Sequence, residues 1–228
     1  RLGPGVPSQV VGDPTRLREG IVENLPDLVL HPRDRADLRA VVDYCAARRI
    51  PVYVYCGGSS VTRGTEAVKG GVTLDTRVHL KRVLDLNETD LTVTVEAGLQ
   101  GPELERFLQN APELLGAKGR YTLGHFPQSF RHATVGGFAV TRSSGQASAG
   151  YGRFEDMVEH LVVATPSGTV RAGCAPASAA GPDLRQLFLG SEGLFGIVTE
   201  VGVRIHPVPA AVARRAWSFP DFATGADA

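Results

Sequence analysis

The sequence predicts an α+β protein of two subdomains: a small βαβ unit, then a larger, mostly antiparallel sheet with helices. Apolar runs at 28–30 and 51–55 bracket a stretch of helical periodicity, so the first third reads strand–helix–strand. Further along, strand-like runs face each other across short polar turns at Asn87–Asp90 and Pro166–Gly168, the signature of hairpins. No repeat period or low-complexity tract competes with this reading.

Each element has its own warrant. LVLHP (28–32) is a short apolar strand halted by Pro32, after which Asp34 is placed to cap a helix. Leu38, Val41, Val42, Cys45 and Ala46 recur on one helical face, with Arg35, Arg39, Arg48 and Arg49 mostly off it. PVYVY (51–55) is a β-branched and aromatic run, read as a buried strand that ends abruptly in CGGSS (56–60). GVTLDT (71–76) is a further strand, and 79–98 gives two strands, the second with Val93 and Val95 alternating. GPELERFLQN (101–110) starts a helix with Pro102 in its favoured early position. MVEHLVVATPSGTV (157–170) is a strand, a turn and a returning strand. GPDLRQLFLG (181–190) reads as a short helix between glycines, and GIVTEVGVRIHP (196–207) as a strand.

Composition narrows the function. In 228 residues, 24 basic side chains balance 24 acidic ones, which removes the electrostatic argument for a nucleic-acid partner. Only Lys69, Lys81 and Lys118 among the basic residues are lysines, a skew read first as genomic base composition. No apolar run is long enough to span a membrane, and RLGPGVPSQV lacks the apolar core of a secretory signal. Cys45, Cys56 and Cys174 are odd in number and show no CxxC spacing, so no disulfide framework or zinc site follows and a reducing, cytoplasmic setting is the default. Dispersed His spacings give no metal-ligand set.

Three glycine and hydroxyl loops carry the functional signal. CGGSS follows a strand of the βαβ unit, where it is either a tight turn or a nest of N–H groups for an anion, with Ser59 and Ser60 as further donors. Residues 124–145, GHFPQSFRHATVGGFAVTRSSG, surround Gly136 and Gly137 with Thr134, Thr141, Ser143 and Ser144, and Arg142 adds a fixed charge. GSEGLFGIVTE (190–200) is the third. Together they suggest a long ligand with phosphates at its centre. No GxGxxG opens a helix after the first strand, and no GxxxxGK[ST] or GxSxG is present, which argues against a nicotinamide Rossmann domain, a P-loop NTPase and a nucleophile-elbow hydrolase. His31, His160 and His206 read as turn or strand residues. His125 and His132 flank the central loop and are the two histidines to follow. Glu155–Asp156 reads as a structural pair rather than an acid–base dyad.

In this order, PVYVYCGGSS, GHFPQSFRHATVGGFAVTRSSG, YGRFEDMVEHLVVATPSG and GPDLRQLFLGSEGLFGIVTEVGVRIHP resemble the FAD-binding domain of the vanillyl-alcohol oxidase / p-cresol methylhydroxylase (PCMH) superfamily, over roughly residues 26–209. Within it, GHFPQS, TRSSG and YGRFED look most like the alkyldihydroxyacetonephosphate synthase family. The resemblance implies a two-subdomain FAD-binding fold of the PCMH type. It also implies that Val54, Tyr55, Cys56, Gly57, Gly58, Ser59 and Ser60 cradle the FAD pyrophosphate, and that Gln128, Ser129, Phe130, Arg131, His132, Ala133 and Thr134 line the flavin and ribityl region. Thr141, Arg142, Ser143 and Ser144 are expected against the isoalloxazine or its phosphates, and Gly136 and Gly137, which let backbone approach something flat or charged, belong to the same cofactor site. Glu192, Gly193, Leu194, Phe195, Gly196, Ile197 and Val198 are expected to close over the cofactor.

Three departures from the family pattern stand out. Cys56 replaces the first glycine of a loop that usually reads GGGTS; if that position requires a positive φ, a side chain there costs on the order of 1–2 kcal/mol. A reactive role for Cys56 is disfavoured by the absence of an adjacent Lys, His or metal. Ser59 stands where some members carry a histidine that links FAD covalently, so FAD is expected to be non-covalent. Gln128 replaces the usual aspartate of the second block.

The expected organisation is an N-terminal extension (1–25), the FAD-binding domain (26–209), and the start of a truncated C-terminal cap, or substrate, domain (210–228). That cap domain would hold the catalytic acid or base, whose identity stays unknown, and bind a small-molecule or lipid substrate. The resemblance implies an enzyme that exchanges an acyl chain for a fatty alcohol at flavin N5 in ether-lipid synthesis. An FAD-linked oxidoreductase taking a hydride from a 2-hydroxy acid or alcohol is the alternative, and a flavin- or partner-binding module inactive on its own is the reading from another class. A second copy of the chain is a candidate partner, and peripheral membrane contact is expected only of a lipid-handling parent.

Overall fold

The Asp34 carboxylate accepts a hydrogen bond from the Asp37 N–H at 2.8 Å and so caps α1 (Arg35–Arg48). The helix ends where Arg49 turns left-handed, at φ 55°. Its apolar stripe, Leu38, Val42 and Cys45, is buried against a parallel sheet of β1 (Leu28–Leu30), β2 (Val52–Tyr55) and β3 (Val72–Asp75), ordered β1-β3-β2. Ala46, expected on that stripe, is exposed. At about 100° per residue it lies some 80° round from Leu38, at the margin of the buried face. The computed structural model describes residues 24–60, 62–173, 179–213 and 215–228. Cys174 and nearly all of the expected N-terminal extension lie outside them.

The larger sheet is antiparallel throughout, ordered β4-β5-β9-β7-β8. β4 (Val83–Asn87) and β5 (Thr92–Glu96) form the expected hairpin, whose turn is held by Asn87 Oδ1 accepting from the N–H groups of Thr89 and Asp90. β7 (Val158–Thr165) and β8 (Gly168–Ala172) form the second hairpin, and β9 (Ile197–Arg204) runs between the two. β7 and β9 are buried along almost their whole length because both faces are covered. On one face Leu161, Val163, Val201 and Val203 join a core with Leu104 and Leu108 of α2 (Gly101–Gln109) and Phe138 of α4 (Val135–Val140); α3 (Ala111–Leu115) follows α2. On the other face Ala164 and Ile197 pack with Leu38, Leu74 and Leu80 of the small subdomain. Arg35 pairs with Glu200 at 2.8 Å across this junction, and Arg39 donates to the Thr165 carbonyl.

Two details depart from the sequence expectation. A two-stranded ladder of β6 (Tyr121–Thr122) and β10 (His206–Pro207) is too short to leave a pattern in the sequence. The 181–190 helix shrinks to α7 (Arg185–Phe188), because Asp183 spends its carboxylate on the Arg185 N–H at 3.0 Å and fixes a turn before it. Between α4 and β7, α5 (Ser148–Tyr151) and α6 (Phe154–Met157) are single turns, and α8 (Phe222–Ala226) lies near the end of the chain. Among the described residues, no helix is long and apolar enough to cross a membrane.

Candidate functional site: a glycine-walled cavity between the subdomains

The carboxyl end of β2 runs into the first glycine loop, which faces the start of α4 and the amino end of β9 across a cavity of about 340 Å³. The loop can pass this close only because it carries glycines. A Cβ built on Gly57 stands 2.6 Å from Ala133 Cα, and Gly58, at φ 62°, lies over the Tyr55 ring with its would-be Cβ 2.7 Å from Cζ. Tyr55 therefore supports the loop from beneath rather than lining the cavity, with the Arg77 guanidinium 4.7 Å from its ring centroid. Burial pushes the Tyr55 phenol up from its ordinary pKa.

Cys56 does not take a positive φ; the left-handed position in this loop is Gly58. The strain attached to the missing first glycine therefore does not arise. The Cys56 thiol lies 3.4 Å from Thr76 Oγ1, and burial pushes its pKa up, away from a reactive thiolate.

The second wall begins at Thr134, whose Oγ1 accepts from the Gly137 N–H at 3.1 Å and caps α4. Gly136 and Gly137, read from sequence as a shared approach to a ligand, divide the work. Gly136 meets Ala97 of the main sheet, with a would-be Cβ 2.6 Å from Ala97 Cβ. Gly137 faces the cavity, where a Cβ would find only Thr134 Oγ1 at 3.3 Å and Cys56 Cβ at 4.0 Å.

Of the expected site residues, Val54, Cys56, Gly57, Gly58, Ser59, Ser60, Ser129, Ala133, Thr134, Gly136, Gly137, Thr141, Ser143, Glu192, Gly193, Gly196, Ile197 and Val198 line this one cavity. Gln128, Arg131, His132 and Ser144 are exposed and outside the lining, and Phe130 packs over Gly101 and against Phe126, 5.2 Å between ring centroids. Arg142, at φ 48°, turns its guanidinium outward, donating to the Leu189 carbonyl at 3.2 Å and to Gln186 Oε1 at 2.9 Å. It holds the third loop in place and is not directed at the cavity. Leu194 and Phe195 are 79% and 48% exposed and stand away from the lining. Sequence reasoning stopped at Ser60 and missed Thr62, Gly64 and Thr65, which extend the same wall. The hydroxyl and glycine pattern continuing through VTRGT was the available signal. It also missed Phe138 and Val140, the apolar side of α4 toward the cavity.

His125 is fully buried between the rings of Phe138 and Phe154, at 4.8 and 5.0 Å. Its Nε2 lies 3.1 Å from Ser143 Oγ, one hydrogen bond behind the cavity, while Nδ1 is buried without a partner. Burial lowers its pKa to about 4, so it is neutral at neutral pH. His160 and His206 are likewise lowered by burial. Glu155 is buried 3.1 Å from the Arg153 guanidinium, and Asp156 accepts from the Arg153 N–H, as the structural reading of that pair expects. Among the described residues, no group of three His, Cys, Asp or Glu is placed to hold a metal ion.

The cavity sets a cradle of glycine backbone and hydroxyls against apolar walls from Val54, Ala133, Phe138, Val140, Ile197 and Val198, a lining suited to an elongated dinucleotide-like ligand. Among the described residues no Lys or Arg lines it, so phosphates there would be held by N–H and O–H donors. The FAD binding domain family model matches residues 26–173, and the chain belongs to that family, so its cofactor is FAD. It is 34% identical over 219 residues to alkyldihydroxyacetonephosphate synthase of Caenorhabditis elegans, covering 94% of this chain and 35% of that protein. It is 35% identical over 214 residues to the Dictyostelium discoideum protein of the same name, covering 92% and 34%. A mitochondrial cytochrome-type D-lactate dehydrogenase of Arabidopsis thaliana is 34% identical over 206 residues, covering 90% and 34%. A solved alkyldihydroxyacetonephosphate synthase structure superposes with a TM-score of 0.77 at 33% identity, over 87% of this chain and 35% of that one. The chain thus spans about a third of the length of these relatives.

Proposed function

We propose that this chain is the FAD-binding portion of an enzyme of the alkyldihydroxyacetonephosphate synthase type, which exchanges the acyl chain of an acyl-dihydroxyacetone phosphate for a fatty alcohol. The observation that carries the reading is the similarity to synthases over nearly the whole chain, blocks lining the cavity included. The Cβ-free cradle of Gly57, Gly58 and Gly137 fits a cofactor whose phosphates need close backbone approach. Bound there, FAD would supply the reactive flavin ring. The chain's own residues position it: N–H and hydroxyl donors of the first loop hold the phosphates, Thr134 and Ser143 offer hydroxyls from the second wall, and Phe138, Val140 and Val198 exclude water. Ser59, in place of a histidine, leaves FAD non-covalently bound.

The acid–base residue and the substrate contacts belong to the cap domain on this reading, which takes 26–209 as the FAD-binding domain and 210–228 as the opening of the cap. Support for that division is the exposure of Trp217 and Phe222, 73% and 92%, beyond the body of the fold. A second reading, an FAD-linked oxidoreductase of hydroxy acids, is favoured by the D-lactate dehydrogenase similarity. Full-length enzyme given acyl-dihydroxyacetone phosphate and a fatty alcohol separates the two. Product without lasting flavin bleaching supports the synthase, whereas anaerobic bleaching by a 2-hydroxy acid supports the oxidoreductase.

A further inference from the structure

We propose that Glu192 is a strap across the mouth of the cofactor cavity, fastened by Thr62, that sets how fast FAD is taken up and released. The inference rests on the FAD reading of the cavity. Thr62 Oγ1 donates to Glu192 Oε2 at 2.6 Å, and Ser60 Oγ lies 3.5 Å from the same oxygen and 2.8 Å from the Thr62 hydroxyl. A Cβ on Gly64 would stand 3.0 Å from that oxygen, so the carboxylate lies against the first loop. These residues line opposite walls, 130 positions apart in sequence. Thr62, Gly64 and Glu192 are exposed, whereas Phe138 and Val198 at the far wall are buried, which puts the bridge at the solvent end.

The Glu192 backbone is pinned, at φ 50° with its N–H donating to the Val140 carbonyl at 3.0 Å. Opening is therefore a rotation of one exposed side chain, fast compared with ligand exchange. A fast gate scales uptake and release together by its open fraction and leaves affinity nearly unchanged. Ser191, next in the chain, has a buried hydroxyl without a partner, so the loop gains no compensating bond there. Glu192 is also the one carboxylate among the described lining residues, and its charge lies beside the loop assigned to the pyrophosphate. Simple repulsion would slow uptake without slowing release and so weaken affinity, whereas the strap slows both and leaves affinity nearly unchanged, so the two effects are separable.

Thr62→Val decides, because it keeps shape and charge and removes only the donor. By stopped-flow flavin fluorescence, Thr62→Val and Glu192→Ala are each expected to raise uptake and release together by about three- to tenfold, the population shift from losing one exposed hydrogen bond. The double variant adds nothing for release. Without FAD, a bulky thiol reagent is expected to label Cys56, read on its own peptide by mass spectrometry, faster in Thr62→Val by a similar factor. Unchanged uptake or unchanged Cys56 labelling in Thr62→Val overturns the strap, as does a change in release alone. A wild-type chain that takes up no FAD counts against the FAD reading only, and the labelling still decides the strap.

Discussion

Gly136 and Ala97 meet so closely that the first turn of α4 rests directly on the main sheet, with the Gly136 N–H donating to the Ala97 carbonyl at 2.8 Å. The neighbouring Gly137 meets no such backbone. Both glycines line the cavity, but only Gly136 is held against the sheet, and substitution tells them apart.

Gly136→Val is expected to destabilise the fold by about 1–3 kcal/mol through overpacking against Ala97, read as a lower urea midpoint. Gly137→Leu is expected to leave the midpoint near wild type, because a helical glycine is itself about 1 kcal/mol unfavourable and the new side chain enters open space. The same variant is expected to weaken FAD binding at least tenfold, measured by flavin fluorescence titration.

His125 makes stability fall in acid. Its folded-state pKa of about 4 is depressed from 6.5 by burial, so the unfolded chain takes up the proton first. The contribution is fully present above pH 6.5 and is lost as pH falls toward 4, by about 3 kcal/mol at most. His125→Asn is expected to flatten the urea midpoint between pH 6.5 and 4.5, whatever its effect at pH 7.5.

Cys56 should behave as a quiet thiol in the cavity wall. With no positive φ to relieve, Cys56→Ala is expected to bind FAD within about threefold of wild type, since deleting one weak thiol contact costs under 1 kcal/mol. Labelling of Cys56 by iodoacetamide should rise only at a pH above that of a free thiol, because burial holds the pKa up.

Phosphate binding without cations should resist salt. Because no Lys or Arg among the described residues lines the cavity, FAD affinity is expected to change by less than about threefold between low and high ionic strength. A steep salt dependence, read by the same titration, would point to an arginine reaching in.

Much of this was legible because local and global preferences agree. β2 is a β-branched and aromatic run, Asp34 is a strong cap, and Asn87 fixes a turn, so strands, helix and hairpin are written locally. The glycine loops were visible as loops, since their composition serves little else. What the sequence hid was direction. VGGFAV carries two poor helix formers, yet Thr134 caps it and the sheet accepts its glycines, so tertiary packing makes it a helix. Arg142 belonged by composition to the site, but its left-handed backbone turns it to Leu189 and Gln186. Leu194 and Phe195 likewise share a loop with lining residues while facing outward. Thr62 and Thr65 were missed because the loop was ended at its last serine.

The central claim is that this cavity holds FAD without a covalent link, and the absorbance spectrum of the purified chain tests it most directly. After incubation with FAD and removal of the excess, the account predicts a flavin band that moves wholly into the supernatant on acid precipitation. A colourless protein that takes up no FAD would contradict the assignment of the cavity. A yellow precipitate would contradict the non-covalent attachment that Ser59 implies.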